Sequence, residues 1–176
     1  MNIYILRHGQ TNYNLEERFQ GQINIEMNEV GKEQVKRSAE ELKKIKFNKI
    51  FVSPLQRTIS TARMVTKEKI TIEPRIIERS FGTLEGKHGI PNYEERIKEF
   101  DIESINDLQE RVEDFLTEIL QQSQEQDNIL IVTHEGIAQI INGIFNRELP
   151  KKDWKKFRLG TGQYVKYVKH KNRNEY

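Results

Sequence analysis

Asn2-Ile3-Tyr4-Ile5-Leu6-Arg7-His8-Gly9-Gln10-Thr11-Asn12-Tyr13-Asn14 is the stretch from which the fold is read. Ile3 to Leu6 form a short apolar run rich in β-formers, too short for an ordinary helix. It stops abruptly at an arginine, an imidazole and a glycine. In open parallel sheets, ligands bind just beyond the carboxyl ends of the strands. Arg7 offers a planar fork of donors for phosphate or carboxylate, and His8 can act as a nucleophile near neutral pH. Gly9 is expected to let the backbone approach a ligand closely.

Similar punctuation recurs downstream. Lys49-Ile50-Phe51-Val52 is a second short strand, closed by Ser53-Pro54 and followed within a helical turn by Arg57. Ile129 to Val132 is a β-branched run suited to a strand buried on both faces, and it ends at Thr133-His134. A third strand is expected around residues 69–72, before Pro74. Val165 to Val168 reads as a last antiparallel or edge strand, with a loose basic tail from Lys169. Between these lie helical patterns. Asn28 can cap a helix carrying Val35, Ala39, Leu42 and Ile45. Residues 55–67 form a helix with Pro54 near its first turn. Ser104 opens a helix with Leu108, Val112, Phe115, Ile119 and Leu120 on one side, and Ile137, Ile140, Ile141 and Ile144 follow His134. Trp154 and Phe157 are expected to pack beneath the last strand.

Strands alternating with helices predict an α/β protein, a mostly parallel central sheet with helices on both faces in three α/β/α layers. The carboxyl edge of that sheet would gather Arg7, His8, Arg57 and His134, a pocket for a dianion. Glu78, after the third strand, would be the only acid in the group. Residues 9–27 are polar and irregular, a loop expected to lie over the site.

The chain has 176 residues, which suits one domain spanning 1–176, with a short cap near 79–103. Its 29 basic and 27 acidic residues leave a net charge of +2, which makes no case for nucleic acid or membrane as a partner. There are no cysteines, so thiolate zinc sites and cysteine nucleophiles are excluded. Neither a signal h-region nor a membrane-spanning stretch is present, and a soluble cytoplasmic protein is the expectation. Oligomerisation stays possible. His88 and His170 are expected to face solvent, as are the Lys-rich segments 32–46 and 151–158.

Phosphoryl transfer needs positive charge around the transferring oxygens and a group to attack phosphorus. No carboxylate cluster in the chain would plainly hold Mg²⁺, whereas Arg7 and Arg57 supply charge directly; no metal or other cofactor is expected. Nearby arginines should keep His8 neutral, and Glu78 is the candidate acid for the leaving alkoxide. Taken singly, Arg57 reads as a solvated helix arginine, Glu78 as half of a surface ion pair with Arg79, and His134 as a satisfied core histidine. Their order along the chain favours a site.

Arg7-His8-Gly9-Gln10-Thr11-x-x-Asn14 resembles the signature of the histidine phosphatase superfamily, the phosphoglycerate mutase-like family. Arg18-Phe19-Gln20-Gly21 with Met27-Asn28 and Gly31 is similar to the family's loop before its first long helix. Ser53-Pro54-Leu55-Gln56-Arg57-Thr58 with Thr61-Ala62 resembles its second motif, Glu78-Arg79-x-Phe81-Gly82-x-x-Glu85-Gly86 the segment carrying the acid, and Val132-Thr133-His134 the last. The resemblance implies that His8 is phosphorylated during turnover and that Arg7, Arg57 and His134 clamp the phosphoryl group. It implies further that Thr11 and Asn14 belong to the phosphate-binding signature, that Gln20 and Gly21 line the substrate side, and that Glu78 donates and recovers the proton.

Three departures bear on the activity. The stretch between Gly86 and Ser104 is short where the family's mutases carry a longer insertion, which favours a phosphatase with a small cap. Lys87-His88 stands where a small hydroxyl residue is common, and Glu135 where glycine is frequent; both bear on substrate identity. The expected activity is a metal-independent phosphatase acting on a small phosphomonoester through phosphohistidine, with a phosphoglycerate-type mutase or a non-catalytic phospho-ligand module as alternatives.

Overall fold

The computed structural model describes residues 1–146 and 157–170. Five strands form one sheet: β1 (Asn2–Arg7), β2 (Lys49–Val52), β3 (Thr71–Ile72), β4 (Asn128–Thr133) and β5 (Tyr164–Val168). Their order is β3-β2-β4-β1-β5, parallel throughout except for β5, which runs antiparallel along the outer edge of β1. Register is fixed by pairs such as Ile5 with Ile131 and Phe51 with Ile131. The α/β expectation therefore stands as stated.

Alternation within the central strands builds two cores. Ile3, Ile5, Ile129 and Ile131 point to one face, where they meet Leu108, Val112 and Phe115 of α4 (Ile105–Gln121) and Ile137, Ile140 and Ile141 of α5 (Glu135–Phe145). Tyr4, Leu6, Leu130 and Val132 point to the other, against Ala39 and Leu42 of α2 (Glu29–Leu42) and Ala62 and Val65 of α3 (Gln56–Val65). Period-2 side chains with both sets apolar demand a layer on each face. Fully burying each of these aliphatic groups contributes roughly 1.5–3 kcal/mol, so the central strands form a rigid platform.

Several local expectations shift. The third strand is only Thr71–Ile72, both exposed, because it borders β2 alone. The 9–27 loop contains a helical turn, α1 (Asn12–Leu15), capped reciprocally by Thr11 and Asn14. Lys169 is tied down rather than loose, since its backbone N–H donates to Met1 O at 2.9 Å. His88 and His170 are exposed. Trp154, most of the 151–158 segment and the tail beyond residue 170 lie outside the described residues. Among the described residues no helix is long and apolar enough to cross a membrane.

Candidate active site

The carboxyl ends of β1 and β4 lie side by side, and each hands its next residue to the same place. The backbone N–H of His8 donates to Thr133 O at 3.0 Å, and His8 O accepts from Gly162 at 2.9 Å, so the loop after β1 is held from both sides. The imidazoles of His8 and His134 face each other with ring centroids 5.2 Å apart at 61°. Both are buried. His8 Nδ1 lies 2.7 Å from Gly9 O. A carbonyl can only accept, so Nδ1 carries the proton and Nε2 keeps its lone pair. Burial first, then the charges of Arg57 and Arg7, hold the His8 pKa well below its ordinary value. The same causes, burial before Arg57, depress His134.

Arg57 sits in the first turn of α3 and is fully buried. Its guanidinium donates from Nη1 to Ile23 O at 2.7 Å and from Nη2 to Gly21 O at 2.8 Å. Burial lowers its pKa to about 10, still cationic at neutral pH. Arg7 donates from Nη1 to Leu159 O at 2.7 Å and pairs with Glu135 Oε2 at 2.6 Å. Arg7 Nε, Arg57 Nε and His134 Nδ1 are buried nitrogens without a protein hydrogen-bond partner. Such groups are costly unless a ligand meets them.

Glu78 closes the cavity from the other side. Its Oε1 accepts from the Arg79 backbone N–H at 2.9 Å and its Oε2 from that of Gly136 at 3.3 Å. Burial raises its pKa above the ordinary 4.5, against the pull of Arg79 N–H, Arg57, Gly136 N–H and Arg7. Burial of this kind favours the protonated form, the form a general acid needs. Gly136 makes this approach possible: a Cβ there would lie 2.6 Å from Glu78 Oε1.

The expected set converges. Arg7, His8, Asn14, Gln20, Gly21, Arg57 and Glu78 all border one cavity of about 370 Å³. His134 stands behind His8, with its Nε2 2.6 Å from Ser53 Oγ. Thr11 stands outside the cavity wall: its hydroxyl is spent on the α1 cap and on Gln20 Oε1 at 2.8 Å. Its place is to position Asn14 and Gln20.

Two expectations are corrected. A Cβ on Gly9 would fall 2.3 Å from Gly31 O, so Gly9 gives way to the first turn of α2 and not to a ligand. Glu78 is not the only acid in the group, because Glu135 borders the same cavity and bridges Arg7 to Arg158. Ser53 and Arg79 also enter the site, the latter buried within its wall. All three had weak signals: Glu135 and Arg79 adjoin His134 and Glu78 in sequence, and Ser53 directly follows β2.

A family model described as the histidine phosphatase superfamily (branch 1) matches residues 3–176. The chain belongs to that superfamily. A metal-independent phosphoserine phosphatase of Arabidopsis thaliana is 32% identical over 158 residues, 79% of this chain and 66% of that protein. Phosphoglycerate mutase-like protein 4 of the same plant is 26% identical over 166 residues, 84% and 71% of the two chains. A mycobacterial glucosyl-3-phosphoglycerate phosphatase solved with VO3 superposes with a TM-score of 0.82 at 25% identity, covering 94% of this chain and 91% of that one. Membership of this superfamily and the phosphatase names among its relatives support a phosphatase enzyme.

Proposed function

We propose that this histidine phosphatase hydrolyses a small phosphomonoester through a phosphohistidine formed on His8, without a metal ion. The reading rests on one observation above the rest: His8 keeps its Nε2 lone pair beside two cationic guanidiniums, because Nδ1 is committed to Gly9 O. The phosphoryl oxygens would take the unpartnered nitrogens of Arg7, Arg57 and His134, with Asn14 at the rim. If the Ser53 hydroxyl donates to His134 Nε2, then His134 Nδ1 bears the proton and can donate in turn. The mycobacterial relative's complex with VO3, a phosphate-like oxyanion, fits such a pocket.

In the first step Nε2 of His8 attacks phosphorus and the P–O bond to the leaving oxygen breaks. Glu78 passes its proton to that oxygen, releasing a neutral alcohol. The resulting carboxylate then takes a proton from water as the water oxygen attacks phosphorus. The P–N bond breaks, its electrons return to Nε2, and orthophosphate leaves with Glu78 protonated again. Charge is supplied by guanidinium groups, so chelators are expected to leave the rate unchanged.

Acid-labile label should accumulate on the protein when a substrate bearing a labelled phosphoryl group is quenched in alkali during turnover. His8→Ala should abolish both that label and the release of phosphate. Full phosphate release by the variant would overturn the covalent route. Transfer of label to a second phosphoglycerate in preference to water would replace the phosphatase reading with a mutase.

A further inference from the structure

The wall opposite the phosphoryl clamp is aromatic. Phe19 and Phe81 pack with ring centroids 4.7 Å apart. Tyr93 stands edge-on to Phe19 at 4.9 Å and lies 6.0 Å from Phe81. All three are half-buried and border the same cavity as His8 and Arg57. Backbone pairing holds the wall: Phe19 N–H donates to Lys87 O at 2.9 Å, and Gly86 N–H to Phe19 O at 2.7 Å. A short bridge between Arg18 and His88 extends the zipper.

Two arginines beside this wall each have a carboxylate of their own. Arg18 pairs with Glu16 at 2.6 Å and Arg79 with Glu94 at 2.6 Å, while Arg158 shares Glu135 with Arg7 at the clamp end. Among the described residues, Arg57 is the one cavity arginine with no carboxylate in ion-pair contact. The cavity therefore offers its uncompensated charge at the phosphoryl end and apolar ring surface at the other.

From this division the geometry points to a phosphomonoester whose alcohol carries a planar apolar ring and no second anionic group. The assignment rests on the phosphatase reading above and names its substrate class. A carboxylate-bearing alcohol, as in phosphoserine or phosphoglycerate, would compete with Glu16 or Glu94 for Arg18 or Arg79. A ring would stack on or edge into Phe19, Phe81 and Tyr93 at no such cost.

Direct calorimetric binding of three phosphonates tests the assignment without requiring turnover. Benzylphosphonate should bind about tenfold more tightly than ethylphosphonate, the order of effect of an aromatic contact with its buried area. Carboxyethylphosphonate should bind no more tightly than ethylphosphonate. Tyr93→Ala should cut the benzyl preference to about threefold or less while leaving ethylphosphonate affinity unchanged, and Tyr93→Leu, which keeps apolar bulk, should fall between. Equal affinities for benzyl and ethyl, tighter binding of the carboxylate, or no binding by any of the three would each overturn the assignment. Because the readout is equilibrium binding, a failed phosphohistidine experiment leaves it intact, and its own failure leaves the covalent route intact.

Discussion

Arg57 of the clamp and the arginines of the cap are held in different ways. At the carboxyl edge of the sheet, Arg57 is fixed by two backbone carbonyls, which orient it and leave its charge unspent. Across the cavity, Arg18 and Arg79 each add a carboxylate of their own, Glu16 and Glu94, to a backbone carbonyl, and that carboxylate cancels their charge. Arg7 is intermediate, held by one carbonyl and by a carboxylate, Glu135, that it shares with Arg158. A backbone carbonyl supplies direction without a full opposing charge. The number of arginines in a pocket therefore says little about the field a ligand meets; their partners decide it.

The sharpest break of this contrast is to remove one arginine from each set. Arg57→Ala should lower kcat by on the order of 10²–10³, as for loss of one preorganised transition-state donor. Arg18→Ala, which removes an exposed ion pair, should change it by less than about threefold. Comparable losses in both variants would mean that the cap arginines contribute charge to the transition state after all.

Glu78 offers the next test. Burial raises its pKa and depresses that of His8. Activity needs Glu78 protonated and His8 unprotonated, so the acid limb of the pH profile belongs to His8 and the alkaline limb to Glu78. Glu78→Gln should remove the alkaline limb and lower kcat on an alkyl phosphate by on the order of 10², the loss of a general acid. On a nitrophenyl phosphate, whose leaving group departs without a proton, the first-step loss should stay below about tenfold. An unchanged alkaline limb in Glu78→Gln would assign the proton to another group.

The same contrast explains what the sequence disclosed. Ile3 to Leu6 and Ile129 to Val132 announced their strands because both faces are buried, and the residues ending them announced the clamp. The cap is written differently. Glu94, Glu103 and Glu135 look like ordinary surface acids until the fold brings Arg79, Arg111 and Arg7 to them. Pairings between distant residues leave no periodic trace. Thr11 belongs to the motif but acts through Asn14 and Gln20, and Gly9 yields to Gly31 because a missing Cβ does not say which neighbour needs the room. The two-residue β3 is too short to carry alternation.

Gly136 joins the two regions, since its N–H meets Glu78 and its missing side chain gives that carboxyl its place. Gly136→Ala would set a Cβ 2.6 Å from Glu78 Oε1 and force the acid to move. Alanine suits this helical position, so the fold should hold while kcat on an alkyl phosphate falls about tenfold, a fraction of the full general-acid contribution. Rates on the nitrophenyl ester should barely change. An equal loss on both esters would place the damage in the clamp and not in proton transfer.

The smallest expected effect is also the most pointed. Among the described residues, Glu135 is the carboxylate in ion-pair contact with a clamp arginine, through Arg7 Nη1. Glu135→Gln keeps an amide oxygen for hydrogen bonding but removes the charge, which should move Arg7 toward the condition of Arg57. Orthophosphate should then bind about threefold more tightly, an effect in the range of a partly exposed ion pair, and its affinity should weaken more steeply with added salt. Slower product release would accompany the tighter binding. Weaker phosphate binding in Glu135→Gln would mean that the carboxylate serves Arg7 mainly as a mechanical stay, and the division between oriented and cancelled arginines would have to be redrawn at that residue.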